Sequence, residues 1–348
     1  MACLFLHTSP SQNHLPEHMG KRLSKEAYLQ GILSGNKVIL SRAITLCEST
    51  RPDDRLMAEK LLASLPHRTE SVRIGITGSP GVGKSTFINS FGEYLLDKGH
   101  QLAVLAIDPS SGMTRGSILG DKTRMNRLVG KQQAYIRPSP SGGTLGGVAS
   151  NTREAMMLCE AAGFDWILIE TVGVGQSETA VRQLTDIFML LLLPNAGDDL
   201  QGIKKGVVEL ADMLIIHKAD GEAKSAARKS AAQYAQAVRL LSSFRMSSDE
   251  QLVMTASALE RRGFDHIYQQ ITALQKRRTD TGAWQLNRLR QEGEWFDILV
   301  AEQLKALLRH TPSLFSLEQQ LKDQVLKKEI SPQLAAKLLI ARLKESFT

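Results

Sequence analysis

Val72-Arg73-Ile74-Gly75-Ile76-Thr77-Gly78-Ser79-Pro80-Gly81-Val82-Gly83-Lys84-Ser85-Thr86 decides the fold. Val72–Thr77 is a short, apolar, partly β-branched run, the pattern of a strand covered on both faces. Behind the glycines, residues 85–98 carry a helical period. Gly78 to Ser85 fits GxxxxGK[ST], with a strand before it and a helix after it. Glycines let such a loop wrap a phosphate with inward-facing N–H groups, and the helix N-terminus adds positive potential. Lys84 is placed to reach the β- and γ-phosphates and the Ser85 hydroxyl to take a position on Mg²⁺. Gly78, Ser79, Pro80, Gly81, Val82, Gly83 and Thr86 complete the cradle. The competing reading is a glycine-rich turn with a chance lysine. The motif specifies a nucleoside triphosphate and leaves the base open.

Outward from this loop, strand-like runs recur at 101–107, 165–170, 186–193, 212–217 and 251–256. Helical patterns lie between them at 152–162, 176–184, 221–241 and 264–276. Strand alternating with helix predicts an α/β fold, a doubly wound, mostly parallel sheet. Residues 108–150 are rich in Gly and Ser without a long helical period, which reads as a functional loop region that γ-phosphate and Mg²⁺ order. Helical patterns fill both flanks. The expected organisation is a leader over 1–20, an N-terminal helical extension over 21–70, a nucleotide-binding domain over 71–278 and a C-terminal helical arm over 279–348. In the arm, 284–309 reads as one long helix ended by Thr311-Pro312, with shorter helices at 317–328 and 332–344.

The 348 residues include 43 Lys+Arg and 36 Asp+Glu, for a net charge of +7. Residues 1–70 carry +2, residues 71–275 carry +1 and residues 276–348 carry +4. A nucleic-acid-binding protein would need a basic stripe on its fold, and here the core is nearly neutral. No apolar run approaches the ~18–20 residues of a membrane span. Cys3, Cys47 and Cys159 form neither a CxxC nor an even set, which fits a reducing cytoplasm. No nucleic-acid or membrane partner is expected.

His217-Lys218-Ala219-Asp220 follows the 212–216 run with the place and spacing of the NKxD guanine element. A carboxylate at Asp220 accepts from guanine N1–H and its exocyclic amine, whereas adenine offers an acceptor at N1 and is repelled. The Lys218 stem lies along the base in this reading. His217 replaces the Asn that ordinarily ties this loop to the phosphate loop, and a space-filling strand-end histidine is its competing reading. Ser257-Ala258 resembles the element whose backbone meets guanine O6.

Four acidic residues compete for metal or water. Asp108 and Glu170 end strand-like runs on the crevice side of the sheet, where open α/β sheets bind ligands. Asp121 sits in Gly120-Asp121-Lys122. Glu178 reads better as a solvated helix residue. Gly173 suits a backbone N–H contact to the γ-phosphate. Gln176 is a candidate to position water, with a helix-surface role as the alternative.

Longer motifs carry a specific resemblance: Asp108-Pro109-Ser110-Ser111, Gly116–Met125, Arg137–Gly147, Glu170–Glu178 and Pro194–Gly206. Over about residues 21–348 the chain resembles the MeaB/ArgK family of GTPase chaperones of methylmalonyl-CoA mutase, once named a lysine/arginine/ornithine transport ATPase. The resemblance implies a P-loop GTPase related to the nickel-insertion GTPases of hydrogenase and urease. It implies a homodimer built through the C-terminal arm, and GTP/GDP and Mg²⁺ as cofactors. The implied partner is an adenosylcobalamin-dependent acyl-CoA mutase whose cobalamin loading is gated and whose activity is protected or restored. Ser85, Asp108, Asp121 and Glu170 fall on the family's Mg²⁺ and switch positions, and Lys84, Glu170 and Gln176 are carried over as the catalytic set. Asp220 with Ser257, Ala258 and Leu259 falls on its guanine site. Residues 195–205 match the switch that faces the mutase, with Asp198 and Lys204 as charged contacts. Departures are His217 for Asn, the 110–116 run, and the charged Glu260-Arg261-Arg262-Gly263. No DxHxxG cobalamin motif occurs, so cobalamin is expected on the mutase. The alternatives are a nickel-type metal-insertion GTPase, which calls for His/Cys-rich tracts, and a basic amino-acid transport-associated ATPase or kinase.

Overall fold

In the computed structural model, β1 (Val72–Gly78) lies at the middle of a sheet whose strands all run parallel. The sheet is completed by β2 (Leu102–Asp108), β3 (Ala134–Pro140), β4 (Trp166–Glu170), β5 (Ile187–Leu192), β6 (Met213–Ile216) and β7 (Leu252–Thr255), in the order β3-β2-β4-β1-β5-β6-β7. The structure describes residues 23–66, 70–108, 125–140, 145–171, 177–194, 205–242 and 252–345. The chain leaves β1 for β2 on one side and later reaches β5 on the other, so the end of β1 is a topological switch point, where such sheets open a crevice.

The other strands alternate their apolar side chains between two cores, and β1 sends Val72, Ile74 and Ile76 into one of them. One face packs against α4 (Lys84–Asp97) and α9 (Phe264–Asp280), with Phe87, Phe91 and Phe264 fully or almost fully buried. The other packs against α1 (Lys25–Leu33), α2 (Lys37–Cys47), α3 (Pro52–Leu62), α5 (Leu145–Ala161), α6 (Ser177–Arg182), α7 (Lys205–Leu210) and α8 (Ala223–Ser242). Gly75 makes the second face close-packed, since a Cβ there would come within 2.7 Å of Phe188 and 2.8 Å of Val181. That glycine lets α6 lie directly on β1, beside the phosphate loop.

The N-terminal helices share this core. Asn36 Oδ1 caps α2 by accepting from the Val38 and Ile39 amides at 3.0 and 3.2 Å, and Pro52 opens α3 where its missing N–H costs nothing. Leu40, Ile44 and Leu61 are fully buried among residues that include those of α5. Arg55 grips Glu154 of α5 through two contacts of 3.1 Å.

Two elements inside 108–150 differ from the expectation of an open loop region: β3, and the start of α5, which begins at Leu145 instead of residue 152. β3 contains Arg137-Pro138-Ser139-Pro140 and pairs only with β2, so it is an edge strand, the place where a sheet tolerates proline. The opening of α5, Leu145-Gly146-Gly147-Val148-Ala149-Ser150, is too rich in small residues to show an apolar stripe.

At the amino-terminal end of the sheet, a buried ionic network joins the strands to the arm. Arg73 holds Glu160 through contacts of 2.6 and 2.9 Å. The long helix α10 (Ala283–His310) sends Arg288 into Asp186 at 2.9 and 2.7 Å and onto the Ser71 carbonyl at 2.6 Å. Gln291 donates to the Thr185 carbonyl at 2.9 Å. Trp284, Arg288 and Gln291 are buried, so the base of α10 belongs to the core. Farther along, Phe296, Val300, Leu304 and Leu307 stand at least 37% exposed in a stripe down the helix. Helices α11 (Pro312–Leu326) and α12 (Pro332–Glu345) then pack on one another.

Candidate nucleotide-binding site

The loop between β1 and α4 is bent by its glycines. Gly81 and Gly83 have φ of +80° and +96°, values that disfavour any side chain. Gly78 is excluded from substitution by packing, because a Cβ there would lie 2.6 Å from the Leu191 carbonyl oxygen. Gly83 caps α4 without a side-chain hydrogen bond, so the first-turn amides face the loop as donors. Lys84 Nζ donates to the Gly78 and Ser79 carbonyls at 2.8 and 3.4 Å, which places the ammonium inside the curve. Burial lowers the Lys84 pKa, and the nearby Glu170 and Glu178 carboxylates oppose that shift.

Below the loop, Ser85 Oγ donates to Glu170 Oε1 at 2.9 Å. Glu170 ends β4 and is in register with Ala106 of β2, two residues before Asp108. The hydroxyl, the carboxylate and the terminus of β2 thus converge at one end of adjacent strands. Next to them Thr171 Oγ1 bonds Thr77 Oγ1 at 2.9 Å, tying β4 to β1 just before the loop. The reading of Glu178 as solvated is corrected: its residue is 1% exposed. Seated on α6, which Gly75 allows close to β1, it adds a buried carboxylate within electrostatic reach of Lys84. A sequence period cannot distinguish a glutamate on a short helix's outer face from one turned toward a neighbouring strand. Asp121, Gly173, Gln176, Asp198 and Lys204 lie outside the described residues, as do residues 1–20.

His217 does what the missing Asn would do. Its Nδ1 lies 2.8 Å from the Val82 carbonyl oxygen, and its own amide donates to the Leu192 carbonyl at 2.7 Å. A carbonyl only accepts, so Nδ1 carries the proton and Nε2 the lone pair. Nε2 is buried without a hydrogen-bond partner, and the ring meets Phe87 edge-on with centroids 5.6 Å apart. Burial pushes the imidazole pKa below its ordinary 6.5. Lys218, at φ +56°, reaches the other side of the loop, donating to the Gly81 carbonyl at 2.9 Å. One histidine and one lysine therefore bind the phosphate loop to the 217–220 loop.

Asp220 and Ser257 come together as their motifs predict. Ser257 Oγ donates to Asp220 Oδ2 at 2.8 Å and accepts from the Glu260 amide at 3.0 Å. Ser257 and Ala258 are buried, while Leu259 is 80% exposed. Reasoning from sequence missed three side chains here. Glu260 Oε1 lies 3.0 Å from Lys224 Nζ and 3.3 Å from the Gly221 amide, and Glu260 Oε2 lies 3.1 Å from Arg262 Nη1. Arg262 also donates to the Ala219 carbonyl. The unusual charge of 260–262 was the available signal.

The loop, the hydroxyl–carboxylate pair and the fixed aspartate form one crevice at the carboxyl end of β1, β4, β6 and β7. It can hold a nucleotide with its phosphates on α4 and its base at Asp220. Residues 40–313 match the family described as Methylmalonyl Co-A mutase-associated GTPase MeaB. A putative GTPase of Caulobacter vibrioides is 48% identical over 311 residues, covering 89% of this chain and 95% of that protein. The mouse (Mus musculus) protein named Methylmalonic aciduria type A homolog, mitochondrial, is 42% identical over 327 residues, covering 90% of this chain and 78% of its own. A crystal structure titled LAO/AO transport system kinase superposes with a TM-score of 0.72 at 34% identity, covering 92% of this chain and 97% of the other. Among the described residues no helix is long and apolar enough to cross a membrane.

Proposed function

The chain belongs to the methylmalonyl Co-A mutase-associated GTPase family, MeaB, and from that premise we propose that it is a GTP-driven chaperone of an adenosylcobalamin-dependent acyl-CoA mutase. It is a GTPase. The finer role is to gate cobalamin loading and to protect or reactivate the mutase in the cytoplasm. The family's description and the name of the mouse relative support that partner. The Ser257–Asp220 bond of 2.8 Å supports the guanine assignment, because it holds the carboxylate of the base-reading motif in a fixed position.

In this reading the loop amides and the α4 terminus hold the β- and γ-phosphates. Lys84 exchanges the Gly78 carbonyl for phosphate oxygens and balances the charge that develops between them. The oxygen donors at the foot of the loop suit a hard cation: Ser85 and Glu170 would hold Mg²⁺, with Asp108 and Asp121 supporting. The ion supplies charge neutralisation on the phosphates when bound. Glu178 keeps the surroundings of Lys84 negative. Gly173 meets the γ-phosphate and Gln176 orients water. Asp198 and Lys204 are the charged contacts to the mutase. The stripe Phe296, Val300, Leu304 and Leu307 is the surface for a homodimer, since a row of apolar side chains this exposed marks an interaction surface.

Retention of a purified methylmalonyl-type mutase on the immobilised full chain tests the role, with GDP and with a non-hydrolysable GTP analogue. The expected outcome is retention that differs between nucleotides and faster GTP hydrolysis when mutase is added. Equal or absent retention, with hydrolysis unchanged, sinks the chaperone reading. Cobalamin retained by the chain without mutase would count against its placement on the partner.

A further inference from the structure

The base-reading aspartate sits between two loops that belong to different strands. Residues 217–221 follow β6, and residues 256–263 follow β7. The backbone joins them once, through the Ala219 amide and the Ala256 carbonyl at 3.1 Å. Beside the Ser257–Asp220 bond, side chains of the charged run 260–262 join them. Glu260 spans the gap with both oxygens in use. Oε1 takes the Gly221 amide at 3.3 Å and the Lys224 ammonium at 3.0 Å, both on the far loop and the start of α8. Oε2 takes Arg262 at 3.1 Å, and Arg262 in turn donates to the Ala219 carbonyl, one residue before Asp220. The Glu260 amide also donates to Ser257 Oγ at 3.0 Å, which points that hydroxyl's proton at Asp220.

The 256–263 loop is built to present these groups. Ser257 and Arg262 exchange both backbone hydrogen bonds at 3.0 Å, closing a tight turn. Arg261 takes a left-handed φ of +51° at its tip, and Gly263 packs so closely that a Cβ would lie 2.4 Å from the Thr255 carbonyl oxygen. Arg261 is itself pinned outward, on Glu93 of α4 at 2.6 Å. The turn leaves Glu260 and Arg262 on the side that faces Asp220.

We propose that Glu260, with Lys224 and Arg262, is a positioning residue for the guanine base: an ionic clasp that holds the two base-reading loops together and sets how long a guanine nucleotide stays bound. The inference rests on the reading of Asp220 as the guanine-specific carboxylate. The Glu260 carboxylate is engaged by protein groups, both its oxygens being taken by Gly221, Lys224 and Arg262. It acts by keeping Asp220 and Ser257 at hydrogen-bonding distance. The Lys224 ammonium, hydrogen-bonded to it, holds the Glu260 carboxyl below the usual range, so the clasp stays ionised at neutral pH. Its side chains are 33–44% exposed, and such pairs weaken as salt rises.

Release of fluorescent GDP and fluorescent xanthosine diphosphate is measured in the full chain, in Glu260→Ala, Glu260→Gln, Lys224→Ala and Asp220→Asn, at low and high salt. Glu260→Ala should release GDP about five- to tenfold faster, the scale of a lost charged hydrogen-bond network at a surface. Lys224→Ala should follow it in part. Glu260→Gln, which keeps the shape and loses the charge, should fall between. The effect belongs in nucleotide affinity and KM, with little in kcat. Raising salt should speed release from the wild type and leave Glu260→Ala almost unchanged. A wild-type release rate in Glu260→Ala, beside an Asp220→Asn variant that has shifted toward the xanthine nucleotide, overturns the clasp and keeps the guanine site. An Asp220→Asn variant with unshifted preference overturns the guanine reading on which the clasp rests. A lowered melting temperature in Glu260→Ala with KM and kcat both unchanged assigns Glu260 a structural role and also overturns the proposal.

Discussion

At the phosphate loop, on the carboxyl end of the sheet, charged groups meet backbone: Lys84 donates to the Gly78 and Ser79 carbonyls and Lys218 to the Gly81 carbonyl. At the amino end, charged groups meet each other: Arg73 holds Glu160, and Arg288 holds Asp186 through two contacts. A carbonyl is a weak partner for an ammonium, and a phosphate displaces it readily. A carboxylate that fills a guanidinium fork is a strong one. The same sheet therefore carries exchangeable charge at its phosphate loop and committed charge at its amino end. The first end suits a site that must accept and release a polyanion, and the second suits a joint that must not open.

This comparison can be broken most forcefully at the joint. Arg288→Met leaves Asp186 buried without its fork, and removing one partner of a buried pair costs about 3–5 kcal/mol. Urea unfolding should show that loss, while GDP affinity of the folded protein stays as it was. A change below about 1 kcal/mol, the scale of surface pairs, would mean that the joint is not committed. At the other end, Lys84→Ala should slow single-turnover GTP hydrolysis by about 10²–10³-fold, the scale of one lost charge-stabilising donor. Its unfolding midpoint should hold or rise, because a buried ammonium is removed. Unchanged hydrolysis would take Lys84 out of the chemistry.

His217 sharpens the contrast, being a fixed tie within the exchangeable end. His217→Ala loses the bond to the Val82 carbonyl and should weaken GDP binding about tenfold, the scale of a buried hydrogen bond. His217→Asn should lose less, measured by titration calorimetry. Affinities that are equal across the set would make the ring a space-filler. The smallest effect is in pH. The folded pKa of His217 lies below 6.5, so near and below that value the unfolded chain binds a proton that the folded chain refuses. Its contribution to stability is complete above about pH 6.5 and declines as pH falls through that value toward the folded pKa. In His217→Asn this part of the pH dependence of unfolding should disappear.

Much of the candidate nucleotide site was legible because its chemistry is local. A loop that wraps a phosphate needs glycines and a lysine at set spacings, and residues 78–86 are contiguous. Asp220 and Ser257 were readable separately, since each follows a strand, and the fold brings them within one hydrogen bond. Glu178 and Glu260 were not readable, because what they touch is decided by neighbours far away in sequence: α6 on β1 for the one, Lys224 for the other. The fold was legible where strands are buried on both faces. β3 escaped because an edge strand with two prolines lacks that pattern, and the start of α5 escaped because small residues carry no stripe. His217 shows a further limit. The motif marked the position as a departure, and only the ring's geometry showed that an imidazole Nδ1–H replaces an amide N–H.

The 28 residues of α10 have one more consequence. Its base is clamped by Trp284, Arg288 and Gln291, and the same unbroken helix carries the apolar stripe outward. From Gln291 to His310 the rod is about 28 Å long, so a tilt of about 5° at the clamp swings its tip by about 2.5 Å. α10 is thus a lever whose fulcrum is the amino end of the sheet. Arg153 of α5 donates at that fulcrum, to the Gln291 carbonyl at 3.1 Å and to Glu292 at 2.8 Å. By the same geometry, a tilt of α5 passed on through Arg153 would be enlarged at the tip of the arm.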